Sequence, residues 1–331
     1  MTNRPRIALT TGDPGGIGPE LVARWIAEVA PTLDVDVVVV GDAQELGDAA
    51  ADAGVEPRWS DDGAQGVRLV DGGGVRPADG FERQVATEAG GRWAMANLRR
   101  AFALSQADEV DAIVYAPLNK ASLHLAGMQE HDETTWFEHV LADGSASTEL
   151  NILPDLVTAR VTSHCSIAEV SDLVTFDLVV ERGELLERVL RSRGVATPRI
   201  GVCALNPHAG EGGAFGRHEL DVIGPAIAEL RERGIDATGP FPSDTIFLKA
   251  RDGAFDGVLT MYHDQGQIAV KLLGFDRGVT MAGGLSVPVC TPAHGTAFDL
   301  VGTRSANLGA YDHAARVAID VAAQRRALAT G

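Results

Sequence analysis

Short apolar stretches rich in β-branched residues punctuate the chain, each closed by turn-forming residues. They are RIALTTG (6–12), DVDVVVVGD (34–42), DAIVYAPL (111–118), LVTARVTSH (156–164), RIGVCALNP (199–207), DGVLTMYHD (256–264) and DRGVTMAGG (276–284). Their apolar character is nearly continuous rather than alternating, as expected of strands covered on both faces. Between them the apolar positions recur at helical spacing: GPELVARWIAEVA (18–30), GRWAMANLRRAFALSQA (91–107), DLVVERGELLERVLRSRG (177–194), HELDVIGPAIAELRERG (218–234) and DHAARVAIDVAAQRRALA (312–329). Strand and helix alternate, which predicts an α/β class with a largely parallel sheet. The Gly- and Asp-rich stretch 61–80 reads as a surface excursion, and no internal repeat is visible.

The chemistry-bearing residues gather where the predicted strands stop. In open α/β sheets ligands bind beyond the carboxyl ends of the strands. His164 closes one apolar run, His208 follows another inside ALNPHAGEGGAFG, and His263 closes a third in MYHDQG. Imidazole is the commonest protein metal ligand, and three such ligands leave a cation open to water or substrate. Asp264 is placed to ligate or to orient its neighbour. Each histidine taken alone also reads as an ordinary hydrogen-bonded residue; their shared position is what favours a metal site. A Ser-His-Asp hydrolase is disfavoured because no G-x-S-x-G elbow follows a strand. Cys165, adjacent to His164, would point to the opposite face of an extended segment.

The net charge of −18 excludes a general nucleic-acid binder, since no basic stripe faces phosphates. Three well-separated cysteines support neither a disulfide framework nor a Cys-rich zinc site. No apolar run reaches the ~18 residues of a membrane span, and the start lacks the apolar core of a secretion signal, so a cytoplasmic protein is expected.

Two glycine-punctuated loops remain. TTGDPGGIGPE (10–20) joins the first strand to the first helix without matching G-x-G-x-x-G, and PAHGTAFDLVGTRSANLGAY (292–311) leads into the last helix. Bare, each is a tight turn whose amides could face a ligand.

Taken together, GDPGGIGPE, APLNK, TSH, LNPHAGEGG, PSDT, MYHDQG, the lysine of AVKLLGF and HGTAFDLVG resemble the 4-hydroxythreonine-4-phosphate dehydrogenase family, in order along nearly the whole chain. The resemblance implies an isocitrate/isopropylmalate dehydrogenase-like fold: two α/β/α lobes around a cleft, residues 1–130 with 275–331 forming one and 131–274 the other. The second lobe would carry the metal ligands and the interface of a homodimer with a shared active site. It implies metal-dependent, NAD- or NADP-linked oxidation of a small hydroxy acid, with decarboxylation of the β-keto product, and no nucleic-acid or membrane partner. His164, His208 and His263 would hold a divalent metal such as zinc, cobalt or magnesium. Lys271, Asp244 and Asp264 would serve the chemistry; Glu133, Thr134, Lys271 and Thr280 would contact substrate; His294, Thr296, Asp299, Asn307 and Gly12 would line the cofactor. The chain departs from the family pattern at Glu133, where an imidazole is expected, and at Thr280 and Val289, where an asparagine and an arginine are expected. Those departures leave the metal chemistry intact and open the substrate to alternatives: a threonate or erythronate phosphate, or a cis-dihydrodiol carboxylate. A non-catalytic metabolite binder of the same fold is the remaining alternative.

Overall fold

The computed structural model describes residues 4–63, 66–145, 147–274 and 277–330. The chain divides into two compact units, Met1–Ser147 with Leu285–Gly331, and Thr148–Gly284. In chain order the strands are β1 (Arg6–Thr10), β2 (Asp36–Gly41), β3 (Val67–Asp71), β4 (Ala112–Tyr115), β5 (Thr148–Leu153), β6 (Leu156–Arg160), β7 (Arg199–Cys203), β8 (Asp236–Phe241), β9 (Gly257–Thr260), β10 (Val279–Gly283) and β11 (Val289–Pro292).

In the first unit the order is β3-β2-β1-β4-β11, and every pairing is parallel. The central strand β1 and its neighbours β2 and β4 are buried almost throughout, as their unbroken apolar runs require. Trp25, Trp93, Phe102, Phe137 and Tyr311 fill the core. The stretch 61–80 is more than an excursion, because it contains β3. As an edge strand β3 buries only Val67 and keeps its arginine and aspartate in play with solvent, which hid it from a reading based on apolar runs.

The second unit orders its strands β10-β5-β6-β9-β7-β8. Pairings are antiparallel for β10/β5 and β5/β6, and parallel for β6/β9, β9/β7 and β7/β8. One cluster of its core joins Leu153, Leu156, Cys203, Ile246, Val258 and Val270.

The unit boundaries fall after Ser147 and Gly284, not after residues 130 and 274. Aromatic packing explains the first: helix Glu133–Leu141 sets Phe137 5.2 Å from Phe102 and 5.6 Å from Tyr115, between ring centroids. Pairing explains the second, since β10 runs in register with β5; residues 275 and 276, at the expected boundary, lie outside the described ones. Among the described residues no helix is long and apolar enough to cross a membrane.

Candidate active site

Strands β6, β9 and β7 are consecutive parallel neighbours, so their carboxyl ends leave the sheet on the same side. Those ends lead to His164, His263 and His208 respectively. Pairing continues past the strands: Val161 N donates to Thr260 O at 2.8 Å, and Thr162 donates to Met261 O through N at 3.0 Å and Oγ1 at 2.8 Å. This stitching carries His164 and His263 side by side, ring centroids 5.6 Å apart. His263 Nδ1 lies 2.7 Å from Asp264 Oδ1, so the carboxylate fixes that side of the ring and leaves Nε2 to a cation. His263 also opens helix His263–Gly274. Gln265 braces the same corner, its Oε1 accepting from Met261 N at 2.8 Å and its Nε2 donating to Ala204 O, just past β7, at 2.9 Å.

His208 is presented differently. Residues His208 to Gly213 all have positive φ, from 43° at Glu211 to 100° at Gly213, so the chain makes a left-handed turn. For His208, Ala209 and Glu211 that conformation costs about 1–2 kcal/mol each. The ring of His208 packs near Phe215, centroids 6.1 Å apart. Among the described residues no three His, Cys, Asp or Glu side chains form a group able to hold a metal ion. The expected convergence of three imidazoles is therefore met within one chain only by the His164–His263 pair.

The anchor of the His208 turn is Glu219, which the sequence reading passed over. It begins the π-helical segment Glu219–Ile223, a local form that recurs at functional sites. Its buried carboxylate accepts from Leu205 N at 2.9 Å, Asn206 N at 2.7 Å and Asn206 Nδ2 at 3.0 Å. Burial alone would raise its pKa; the bonds from Asn206 and the two amides outweigh that and keep it below the ordinary glutamate range. A Cβ at Gly210 would sit 2.6 Å from Glu219 Oε2, so the close approach requires glycine there.

Along helix His263–Gly274, Asp264, Gln267 and Lys271 share one face at i, i+3 and i+7. Gln267 Nε2 donates to Asn151 Oδ1 at 3.2 Å, and Asn151 lies directly opposite Thr280 in the β5/β10 pair. Glu149, on the same face of β5, forms an ion pair with the buried Arg160 opposite it on β6. Thr280 thus belongs to a polar row under the helix, and Lys271 is exposed at its far end. Asp244 lies exposed in the first turn of helix Ser243–Arg251, with no described contact to the histidine pair.

In the first unit the two glycine-rich loops meet. Ile17 N donates to Thr296 O at 3.0 Å, and a Cβ at Gly16 would stand 2.8 Å from Thr296 Cβ. Gly12 has φ +72° and leaves no room for a side chain, since its Cβ would lie 2.4 Å from Ala116 O. Beside this junction is a cavity of about 250 Å³ lined by Pro14, Gly16, Ile17, Glu20, Val301 and Gly302 among others. Glu45 reaches it from below, accepting from Trp93 Nε1 and Thr11 Oγ1, each at 3.1 Å. Burial drives its pKa up to about 8, against the smaller opposing effect of those two bonds. His294 Nε2 is buried with no hydrogen-bond partner among the described residues. Asp299 is exposed, and Asn307 Oδ1 accepts from Gly309 N at 2.8 Å at the start of the last helix.

With Thr280 placed in the polar row, the other two departures, Glu133 and Val289, take definite forms, as does Thr134 beside the first. Glu133 faces Lys120 across a 3.8 Å ion pair. Thr134 donates its hydroxyl to Asp132 Oδ1 at 2.9 Å, where Asp132 caps the helix. Val289 is fully buried in β11 opposite Ile113, so no side chain at this position reaches solvent from the strand as it stands.

Residues 34–318 match the family model described as pyridoxal phosphate biosynthetic protein PdxA. A Pseudomonas aeruginosa protein named "Putative 4-hydroxythreonine-4-phosphate dehydrogenase 2" is 47% identical over 95% of this chain and 96% of its own length. One from Bradyrhizobium diazoefficiens, named "Putative D-threonate 4-phosphate dehydrogenase", is 36% identical over 98% of this chain and all of its own. The crystal structure of 4-hydroxythreonine-4-phosphate dehydrogenase from Klebsiella pneumoniae superposes with a TM-score of 0.81 at 35% identity, covering 96% of this chain and 98% of that one. A β-decarboxylating dehydrogenase from Thermococcus kodakarensis shares the fold at a TM-score of 0.56 and 16% identity, covering 98% and 86%.

Proposed function

The chain belongs to the pyridoxal phosphate biosynthetic protein PdxA family, and we propose on that footing that it oxidises the hydroxyl of a phosphorylated hydroxy acid with NAD⁺ or NADP⁺, aided by a divalent cation at His164 and His263. The observation that carries the reading is that imidazole pair at the shared carboxyl end of β6 and β9. Two imidazoles, one backed by a carboxylate, suit zinc, cobalt or a similar ion. When bound, such a cation supplies Lewis acidity, lowering the alcohol's pKa and polarising the ketone. Asp264 keeps the His263 ring in one tautomer and orientation. Lys271, on the same helix face, offers a cation to a substrate carboxylate or phosphate, and Asp244 is the further acidic candidate.

The nicotinamide cofactor is assigned to the first unit. The cavity of about 250 Å³ beside the Gly16–Thr296 junction and the His294 Nε2 left without a partner among the described residues support a ligand that brings polar atoms to this loop. Thr296 orders that loop through its carbonyl.

His208 belongs to the same reading through a homodimer, a second copy of the chain supplying the third imidazole. Exposed apolar side chains support an interface in the second unit: of twelve large ones among the described residues, nine lie in Thr148–Gly284, including Ile167, Phe215, Leu220 and Leu272. None of the three cysteines is joined in a disulfide, which suits a reducing compartment.

Glu133 favours a second substrate. A carboxylate paired with Lys120 stands where the family pattern has an imidazole, and it repels rather than donates to a phosphate or carboxylate. A hydroxy acid with fewer anionic groups is then the better fit than 4-hydroxythreonine 4-phosphate. The test is purified protein with Co²⁺, NAD⁺ or NADP⁺ and a panel of phosphorylated and free hydroxy acids, read as reduced-nicotinamide absorbance and released carbon dioxide. Turnover that His263→Ala abolishes is expected. Ligand binding without turnover across the panel would instead mark a non-catalytic binder.

A further inference from the structure

We infer that Glu219 is the positioning residue of His208: a buried carboxylate that clamps the backbone two to three residues ahead and thereby fixes the left-handed turn on which the imidazole is presented. The inference rests on the reading of His208 as a metal ligand, and it assigns a role to a residue outside that ligand set. Glu219 is only 5% exposed, yet it makes no ion pair among the described residues. All of its described side-chain bonds go to one short segment, Leu205 and Asn206, which leads directly from β7 into the turn. Those bonds are what offset the burial of the charge, so the carboxylate and the segment it holds keep one geometry together. The glycines of the turn are shaped to it as well. Gly210 would strike Glu219 Oε2 if it carried a Cβ, and Gly216, at φ +133°, would strike Asn206 Nδ2 at 2.5 Å. Carboxylate, asparagine and two glycines therefore close into one interlocked unit around a conformation that His208 and Ala209 would not adopt unaided.

The clamp acts through backbone amides, not on the imidazole itself. Removing it should loosen the turn while leaving the sheet and the His164–His263 pair in place. Groups that orient ligands from outside typically change metal affinity or activity 10–100-fold when removed.

The test uses full-length protein as Glu219→Gln, Glu219→Ala and Gly210→Ala, with His208→Ala as reference. Gly210→Ala displaces the carboxylate without deleting it, so it reaches the same joint by another route. Far-UV circular dichroism and thermal melts establish folding; Co²⁺ titration followed by its visible absorption gives metal affinity; kcat and KM are measured on the best substrate of the panel. We expect folded Glu219→Ala and Gly210→Ala to bind Co²⁺ 10–100-fold more weakly with a matching fall in kcat, and Glu219→Gln to fall between them and the wild type. Wild-type Co²⁺ affinity and kcat in folded Glu219→Ala would overturn the inference, as would losses that merely track the unfolded fraction. If His208→Ala itself keeps metal and turnover, the underlying reading of His208 fails instead.

Discussion

Glu45→Gln should make the protein more stable, and by an amount that grows with pH. Glu45 is buried between the first two strands' loops, and its carboxyl is held neutral, with a pKa pushed up to about 8 from the ordinary 4.5. The folded state therefore binds a proton that the unfolded chain releases near pH 4.5. The contribution of Glu45 is fully present below that pH, is lost progressively as pH rises toward 8, and then levels off. The gap of about 3.5 pKa units corresponds to about 5 kcal/mol across the window, and to roughly 3 kcal/mol already at pH 7. Glutamine has the same shape and no proton to lose. Its carbonyl can accept from Trp93 Nε1 while its amide donates to Thr11 Oγ1, so both bonds now made by the carboxyl survive. Urea unfolding of both proteins at pH 5, 7 and 9 measures the difference, and titrations common to the two proteins cancel. The variant should match the wild type near pH 5 and exceed it by several kcal/mol at pH 9. A difference that does not change with pH would refute the protonated, buried carboxyl.

Other outcomes follow from the same geometry. Asp264→Asn, which leaves His263 without its carboxylate, should weaken Co²⁺ binding 10–100-fold with the melting temperature nearly unchanged, whereas His263→Ala should cost more. Gly16→Ala forces a Cβ to within 2.8 Å of Thr296 Cβ and 2.9 Å of its carbonyl oxygen; it should destabilise the fold by about 1–3 kcal/mol and raise KM for the nicotinamide cofactor with a smaller effect on kcat. Phe215→Asp places a charge on an exposed apolar position beside His208, and light scattering should find a monomer where the proposed homodimer predicts a dimer for the wild type; a dimeric variant would remove Phe215 from the interface.

Local pattern determined much of this protein. Seven β-branched runs named seven strands, because a strand covered on both faces must be apolar at every position, and that demand is visible without knowing its neighbours. Of the four strands left unread, three break that pattern for a physical reason, β3 as the edge strand described above. β5 carries Glu149 and Asn151 because its polar face meets Arg160 and Gln267, and β8 is an edge strand that tolerates Gly239 and Pro240. The sequence also marked His164, His208 and His263 as strand-end residues, since each follows an apolar run in plain view.

What the sequence could not hold was which strands lie side by side. The order β6-β9-β7 makes neighbours of residues 57 to 100 positions apart, such as Ile200 and Val157 against Gly257, and only that order brings the His164 and His263 rings together. The same is true of Glu219, whose purpose exists only once the chain folds back over Leu205 and Asn206, and of Val289, which stands where the family pattern expects an arginine and which pairing with β4 buries in the core. Periodicity is a property of adjacent residues and survives in one dimension; register, clamping and burial of a particular side chain depend on contacts between distant ones, and those are fixed only by the packed structure.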